Sequence, residues 1–251
     1  MGNLLFALAV FILLHDHTSF ATVPNISTDE AALLALKSHI SFGPNNILAR
    51  NWSSSGLVCS WIGITCSSRH HRVTALNISS MQLHGTIPPH LGNLSFLVSL
   101  DISNNTFYGE LPQELAHLQR LKLIDVTSNN FTGAIPSFLR LLPNLRFLNL
   151  STNQFSGEIP SFLSNLTKLE ELRIKENFLQ GEIPRELGDL RYMVFLDLQS
   201  NQLSGFIPPS IFNIRTMQKL VLQTINLLVS FQQLYVIIFQ TWKGFTSQKT
   251  T

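Results

Sequence analysis

The chain lacks the usual marks of catalytic machinery. It has no glycine-rich phosphate loop, no His-Arg-Asp triplet and no Asp-Phe-Gly triplet, so nothing in it is laid out to cradle and transfer a phosphoryl group. Charge is scarce: 13% of residues are charged, and the net charge is +2. That balance argues against a nucleic-acid surface, which would show a clustered basic patch. There are two cysteines, Cys59 and Cys66, and none follows Cys66. Low-complexity stretches and proline-rich or charged linkers are absent, so the chain reads as one domain. The pairs Glu170-Glu171 and Glu186-Asp189 have no nucleophile or electrophile nearby to give them work. His70-His71-Arg72 has no further ligands at useful spacing, and reads as a solvated turn, not a metal site. No enzyme, metal or cofactor is expected.

What is abundant is regularity. Gly85, Gly109, Gly133, Gly157, Gly181 and Gly205 recur every 24 residues, each followed three residues later by Pro88, Pro112, Pro136, Pro160, Pro184 or Pro208. Ahead of each glycine runs L-x-x-L-x-L-x-x-N-x-L-x-G, as in Leu145, Leu148, Leu150, Asn153, Phe155 and Gly157. A fixed period of this kind means stacked units, because one unit cannot bury its apolar side alone. One apolar column runs Leu76, Leu100, Ile124, Leu148, Leu172, Leu196 and Leu220; a second lies two residues on, at Ile78, Ile102, Val126, Leu150, Ile174, Leu198 and Leu222. Spacing of two places both on one face of a short strand. The Asn column (Asn105, Asn129, Asn153, Asn177, Asn201) falls where the strand turns inward, and its amides are suited to satisfy backbone groups of adjacent coils. Glycine permits the tight turn, and Ile-Pro or Leu-Pro then holds an extended segment. An apolar pair such as Leu163 and Leu166 closes the back of each coil.

These frames resemble a leucine-rich repeat, and the G-x-[IL]-P half resembles its plant-specific class, over residues 73–216. The stretch before them adds to the likeness. Asp29 to Lys37 reads as an amphipathic helix with an acidic first turn. It is followed by Trp52 and by Cys59-Ser60-Trp61-Ile62-Gly63-Ile64-Thr65-Cys66. Together these look like the N-terminal cap of plant leucine-rich-repeat receptor-like kinases and receptor-like proteins. The resemblance implies an α/β solenoid: a right-handed horseshoe with a parallel concave sheet and a helical, disulfide-bonded N-terminal cap. It implies a Cys59–Cys66 bridge and an extracellular setting. The kinase half of that family is not in the sequence, and its activity does not carry over.

The expected division is a signal peptide at 1–21, the cap at 22–72, six repeats at 73–216, and a degenerate seventh repeat with a divergent tail at 217–251. The apolar run Leu4 to Leu14, ending near Ser19-Phe20-Ala21, resembles a secretory signal. Eleven residues are short for a span of about 20. Sequons stand at Asn25, Asn51, Asn77, Asn93, Asn104, Asn130, Asn149 and Asn165, and all but Asn25 are candidate glycan sites. Glycans on Asn77 and Asn149 would sit on the concave face. In the tail, Ile225 and Val229 replace the column asparagine and glycine, and residues 225–242 are interrupted by Asn226, Ser230, Gln232, Gln233 and Gln240. Such amides are costly in hydrocarbon, so a membrane anchor there is doubtful. The tail either improvises a cap or reflects a truncated product of a longer receptor.

Function is therefore sought in binding. On the strand-exposed positions of coils four to six, Phe147 and Phe195 flank Glu171, Arg173, Lys175, Glu176 and, in the last coil, Asp197. Exposed aromatics with arginine are the composition of a recognition hot spot, or of a ladder that only stabilises its own sheet. The resemblance implies a peptide or protein ligand and a co-receptor ectodomain as partners, with no nucleic acid. The chain would be secreted to the apoplast, or held at the plasma membrane as part of a longer receptor. The other reading is a stand-alone secreted repeat protein acting as an enzyme inhibitor or decoy.

Overall fold

The computed structural model describes residues 25–43, 46–54, 56–222, 226–227 and 236–238. The expected signal peptide and most of the tail, including the greater part of 225–242, lie outside them. Among the described residues no helix is long and apolar enough to cross a membrane.

The chain opens with helix α1, Ile26–Ser38. Asn25 caps it: its side chain accepts from the amides of Ser27 and Thr28, and Thr28 Oγ1 accepts from the Asn25 amide in return. A short helix α2, Ile47–Asn51, packs beside it. Lys37 Nζ, at the end of α1, donates to the carbonyls of Ala49 (2.8 Å) and Trp52 (2.5 Å). Trp52 and Trp61 stack with ring centroids 5.6 Å apart, and the Cys59–Cys66 disulfide closes the cap.

Strands are numbered in chain order. The cap supplies β1, Ile40–Ser41, and β2, Ile64–Cys66. The concave sheet then runs through β3 (Val73–Asn77), β5 (Ser99–Asp101), β7 (Leu123–Asp125), β9 (Phe147–Asn149), β11 (Glu171–Arg173), β13 (Phe195–Asp197) and β15 (Lys219–Val221). All seven are parallel, and their register steps through Ala75, Ser99, Leu123, Phe147, Glu171, Phe195 and Lys219. Both apolar columns are buried beneath it.

A second parallel sheet was not foreseen from the sequence. It comprises β4 (His84–Gly85), β6 (Thr106–Gly109), β8 (Asn130–Ala134), β10 (Gln154–Glu158), β12 (Phe178–Glu182), β14 (Gln202–Gly205) and β16 (Asn226–Leu227). Strands β6, β8, β10, β12 and β14 each bury one apolar side chain (Phe107, Phe131, Phe155, Leu179 and Leu203), and Phe107, Phe131 and Phe155 stack in line, 6.4 Å between successive centroids. Short 3₁₀ turns such as Ser161–Asn165 form the back, preceded by the proline of the repeat frame, here Pro160. Gly157 has φ 81°, and a Cβ there would meet nothing nearer than Ala134 at 3.9 Å, so its need is conformational. Gly85 is different: a Cβ would lie 2.0 Å from the His39 carbonyl oxygen, because β1 crosses directly over it.

The Asn column is the stitching between coils. Asn153 Nδ2 donates to the carbonyls of Val126 (2.9 Å), Leu150 (3.2 Å) and Ser151 (3.0 Å), while its Oδ1 accepts from the Phe131 amide (3.0 Å). Asn105, Asn129, Asn177 and Asn201 repeat the arrangement. The residue before each asparagine (Asn104, Ser128, Thr152, Glu176, Ser200) is left-handed, with φ between 52° and 55°. No glycine marks this column.

Antiparallel strands cover the first strand of each sheet and the last parallel strand of the concave one. β2 pairs antiparallel with β3 and β1 antiparallel with β4, so the cap covers the first strand of each sheet. At the far end β17, Val236–Ile238, pairs antiparallel with β15, so that strand edge is paired.

One joint corrects the sequence reading. Asp29 does not merely complement the helix dipole, and Arg72 is not in a solvated turn. Both are buried: Arg72 Nε and Nη2 donate to Asp29 Oδ2 (2.8 Å) and Oδ1 (2.7 Å), and the Val73 amide donates to Oδ2 at 2.9 Å. A two-pronged guanidinium–carboxylate pair is the strong form of such a bond. It fixes α1 to the start of β3.

Candidate functional site

The concave sheet brings the proposed recognition residues together. Phe147, Glu171 and Phe195 occupy equivalent positions on β9, β11 and β13, and Asn149, Arg173 and Asp197 the next outward row. Arg173 lies between the two rings, its Cζ 5.3 Å from the Phe147 centroid and 4.6 Å from that of Phe195. Its Nη2 donates to Glu171 Oε2 at 2.5 Å, and its buried Nε meets no protein acceptor. Lys175 and Glu176 follow in the turn after β11, where Lys175 Nζ donates to Glu176 Oε1 at 3.3 Å and Thr152 Oγ1 to Glu176 Oε2 at 2.8 Å. The Thr152 bond, ahead of Lys175, holds the Glu176 carboxyl below its ordinary pKa.

Asp197 is buried in the same row, and burial pushes its carboxyl pKa up, against the Gln199 amide and the charges of Lys175, Lys219 and Arg173. Sequence reasoning missed Lys219, whose Nζ sits 4.8 Å from the Phe195 centroid. The signal was available: it is the Phe195 position one period later. It also missed the turns beneath this surface. Asn77, Asp101, Asp125, Asn149 and Asp197 each accept from the amide two residues on, which fixes the strand exits. Arg173 breaks this column. The buried hydroxyls of Thr127 and Ser151, on the turns after β7 and β9, have no protein partner.

The glycan candidates divide by exposure. Asn77, Asn93, Asn104, Asn130 and Asn165 are exposed, and Asn51 is half-buried with its Oδ1 accepting from the Ile62 amide. Asn149 is a correction. It is 7% exposed, with Nδ2 donating to Asp125 Oδ2 and Oδ1 accepting from the Ser151 amide, so the folded sheet leaves no room for a glycan on it. Among the described residues no cluster of three or more His, Cys, Asp or Glu is placed to hold a metal ion.

Residues 26–67 match the family described as the leucine rich repeat N-terminal domain, and 96–118, 144–166, 168–190 and 192–214 match the leucine rich repeat. The ectodomain of the receptor kinase SOBIR1 from Arabidopsis thaliana is 32% identical, with a TM-score of 0.62, and the match covers 74% of this chain and all of that one. The chain belongs to the plant leucine-rich-repeat receptor ectodomains. A second ectodomain, the Arabidopsis receptor kinase HAESA in complex with the peptide hormone IDA and the co-receptor SERK1, is 29% identical with a TM-score of 0.66. That match covers 80% of this chain and 38% of HAESA. The LRR receptor-like serine/threonine-protein kinase EFR of Arabidopsis thaliana is 44% identical over 70 residues, 28% of this chain and 7% of EFR. The leucine-rich-repeat chain thus spans a small part of the curated relatives it matches.

Proposed function

We propose that this chain is an extracellular recognition module whose concave face, over coils four to six, binds a peptide or protein ligand in plant receptor signalling. The carrying observation is the row Phe147–Arg173–Phe195: two half-buried rings hold a guanidinium between them on the concave sheet. Anchors of this composition dominate binding energy where they are found. HAESA, a structural neighbour bound to a peptide hormone and a co-receptor, supports the ligand class and a co-receptor as second partner. The binding role needs no catalytic group from these residues.

The alternative role for the row is internal, because Glu171 and the two rings already engage Arg173. Affinity capture from an apoplastic peptide fraction separates the two. Wild type and an Arg173→Glu, Phe195→Ala variant are compared by mass spectrometry alongside their melting temperatures. Loss of captured peptides with a preserved melt supports recognition; unchanged capture with a lowered melt assigns the row to the sheet. A stand-alone secreted inhibitor is told from a receptor segment by the deglycosylated mass of the native product. A mass near that of 251 residues supports the former, and one several times heavier the latter.

A further inference from the structure

We propose that the flank leading into the concave strands docks the opposite flank of a second copy of this chain. Net charge conceals a strong partition. The turn residues that precede β7, β9, β11, β13 and β15 include Arg120, Lys122, Arg146, Lys168, Arg191 and Arg215, all exposed, against the single carboxylate of Glu170, which is paired with Arg146. Lys122, Arg146 and Lys168 line a groove of about 460 Å³ together with Asn144, Glu170 and Tyr192. The opposite flank is the second sheet. Its strands β6, β8, β10, β12 and β14 carry no lysine or arginine, and Glu110, Glu158 and Glu182 protrude from it.

The two flanks match in order as well as sign. On three successive coils one column of the leading flank presents Asn144, Lys168 and then Tyr192, which is 60% exposed; Arg146 stands two residues nearer its strand and is paired with Glu170. On three successive coils the opposite flank presents Glu158, Glu182 and then Phe206, which is 65% exposed. Both columns advance at the spacing of adjacent strands, about 4.8 Å. A second copy laid parallel therefore sets carboxylate on amide (Glu158 on Asn144), carboxylate on ammonium (Glu182 on Lys168), and ring on ring (Phe206 on Tyr192). Burial of the two aromatics accounts for large apolar side chains otherwise left in water.

The leading flank offers a partner side chains only. Its backbone is already paired from coil to coil: the Arg146 amide to the Lys122 carbonyl, Glu170 to Arg146 and Val194 to Glu170. Strand addition by a peptide has no free edge there. Each copy keeps one leading and one opposite flank unused, so the contact repeats into rows instead of closing as a dimer. The concave face stays open throughout, and the inference does not depend on what binds there.

Sedimentation velocity on glycan-trimmed protein tests this. At about 10 mM salt, where charges act over about 30 Å, the average mass should rise with concentration; at about 150 mM, with a reach of about 8 Å, the rise should shrink. Lys168→Glu should weaken association at least about tenfold, as should Glu182→Lys. Mixing the two variants should restore it, since each then offers the charge the other lacks. Phe206→Ser should weaken association without altering its salt dependence. A wild type that stays monomeric at low salt, or a mixture no more associated than its parts, overturns the proposal. So does capture of an acidic peptide or polyanion by a strictly monomeric chain.

Discussion

Alanine at Asn153 should cost about 2–4 kcal/mol, and the reason lies in how the column shares its acceptors. Asn153 Nδ2 reaches three carbonyls, but none depends on it alone. Val126 O also accepts from Asn129 Nδ2 (3.1 Å), Leu150 O from Asn177 Nδ2 (3.0 Å) and Ser151 O from the Ser128 amide (3.0 Å). The group that loses its partner outright is the buried Phe131 amide. One orphaned donor costs about 1–3 kcal/mol, and the shared bonds add a net fraction each. Asn129→Ala does the same to the Phe107 amide. In the double variant Val126 O loses both amides, so the loss should exceed the sum of the singles by about 1–3 kcal/mol. Asn129 and Asn177 share no carbonyl, and that pair should be additive within about 0.5 kcal/mol. Urea unfolding followed by far-UV circular dichroism gives all five values. A coupling near zero for Asn129 with Asn153, or equal coupling for both pairs, would refute the shared-acceptor reasoning.

Three further outcomes follow from the cap and the concave face. Asp29→Ala strips the buried Arg72 of its carboxylate and the Val73 amide of its acceptor. It should destabilise the cap by about 3–5 kcal/mol, seen as early unfolding in the emission of the stacked Trp52 and Trp61. Reducing Cys59–Cys66, which closes a separation of seven residues, should lower cap stability by about 2–3 kcal/mol, read as a shift in its urea midpoint. Asp197 has its pKa raised by burial, so the folded chain holds that proton more tightly than the unfolded one. Its contribution is thus most favourable below the ordinary carboxylate range and declines as pH rises through the raised value. Asp197→Asn keeps the turn bond, as Asn149 does with the Ser151 amide at 3.2 Å, and removes the buried charge. Its melting temperature should exceed wild type at neutral pH, and the gap should close towards about pH 3; a gap that widens in acid contradicts the assigned cause.

Much of this fold was legible because its signals are local and repeated. Leu148, Leu150 and Asn153 carry their roles at fixed spacing, and the concave row at Phe147, Glu171 and Phe195 follows from the same frame. The second sheet was not legible. A strand such as Gln154–Glu158 buries a single residue, Phe155, so it shows no alternation to read and contains a glycine besides. The left-handed residue before each asparagine is Asn, Ser, Thr or Glu, chosen by no visible rule of composition. Asp29 and Arg72 stand 43 residues apart, and nothing in either neighbourhood announces their meeting. Arg173 was placed correctly, but its sandwich between two rings depends on side-chain directions that spacing alone leaves free. The basic flank is invisible to composition, since its six cations are scattered through the chain and align only once the period is folded up.

The cap touches the first strand of both sheets, β2 on β3 and β1 on β4. Synthesis delivers it before any repeat. A finished cap therefore acts as a template with two hydrogen-bonding rails, and it sets their relative phase once. Each later coil has only to copy the phase of the coil before it. Growth from such a seed exposes one unfinished edge at a time, and a slip of register in either sheet would break its alignment with the other. The parallel strands, slow to nucleate when free, are in this way assembled by local steps.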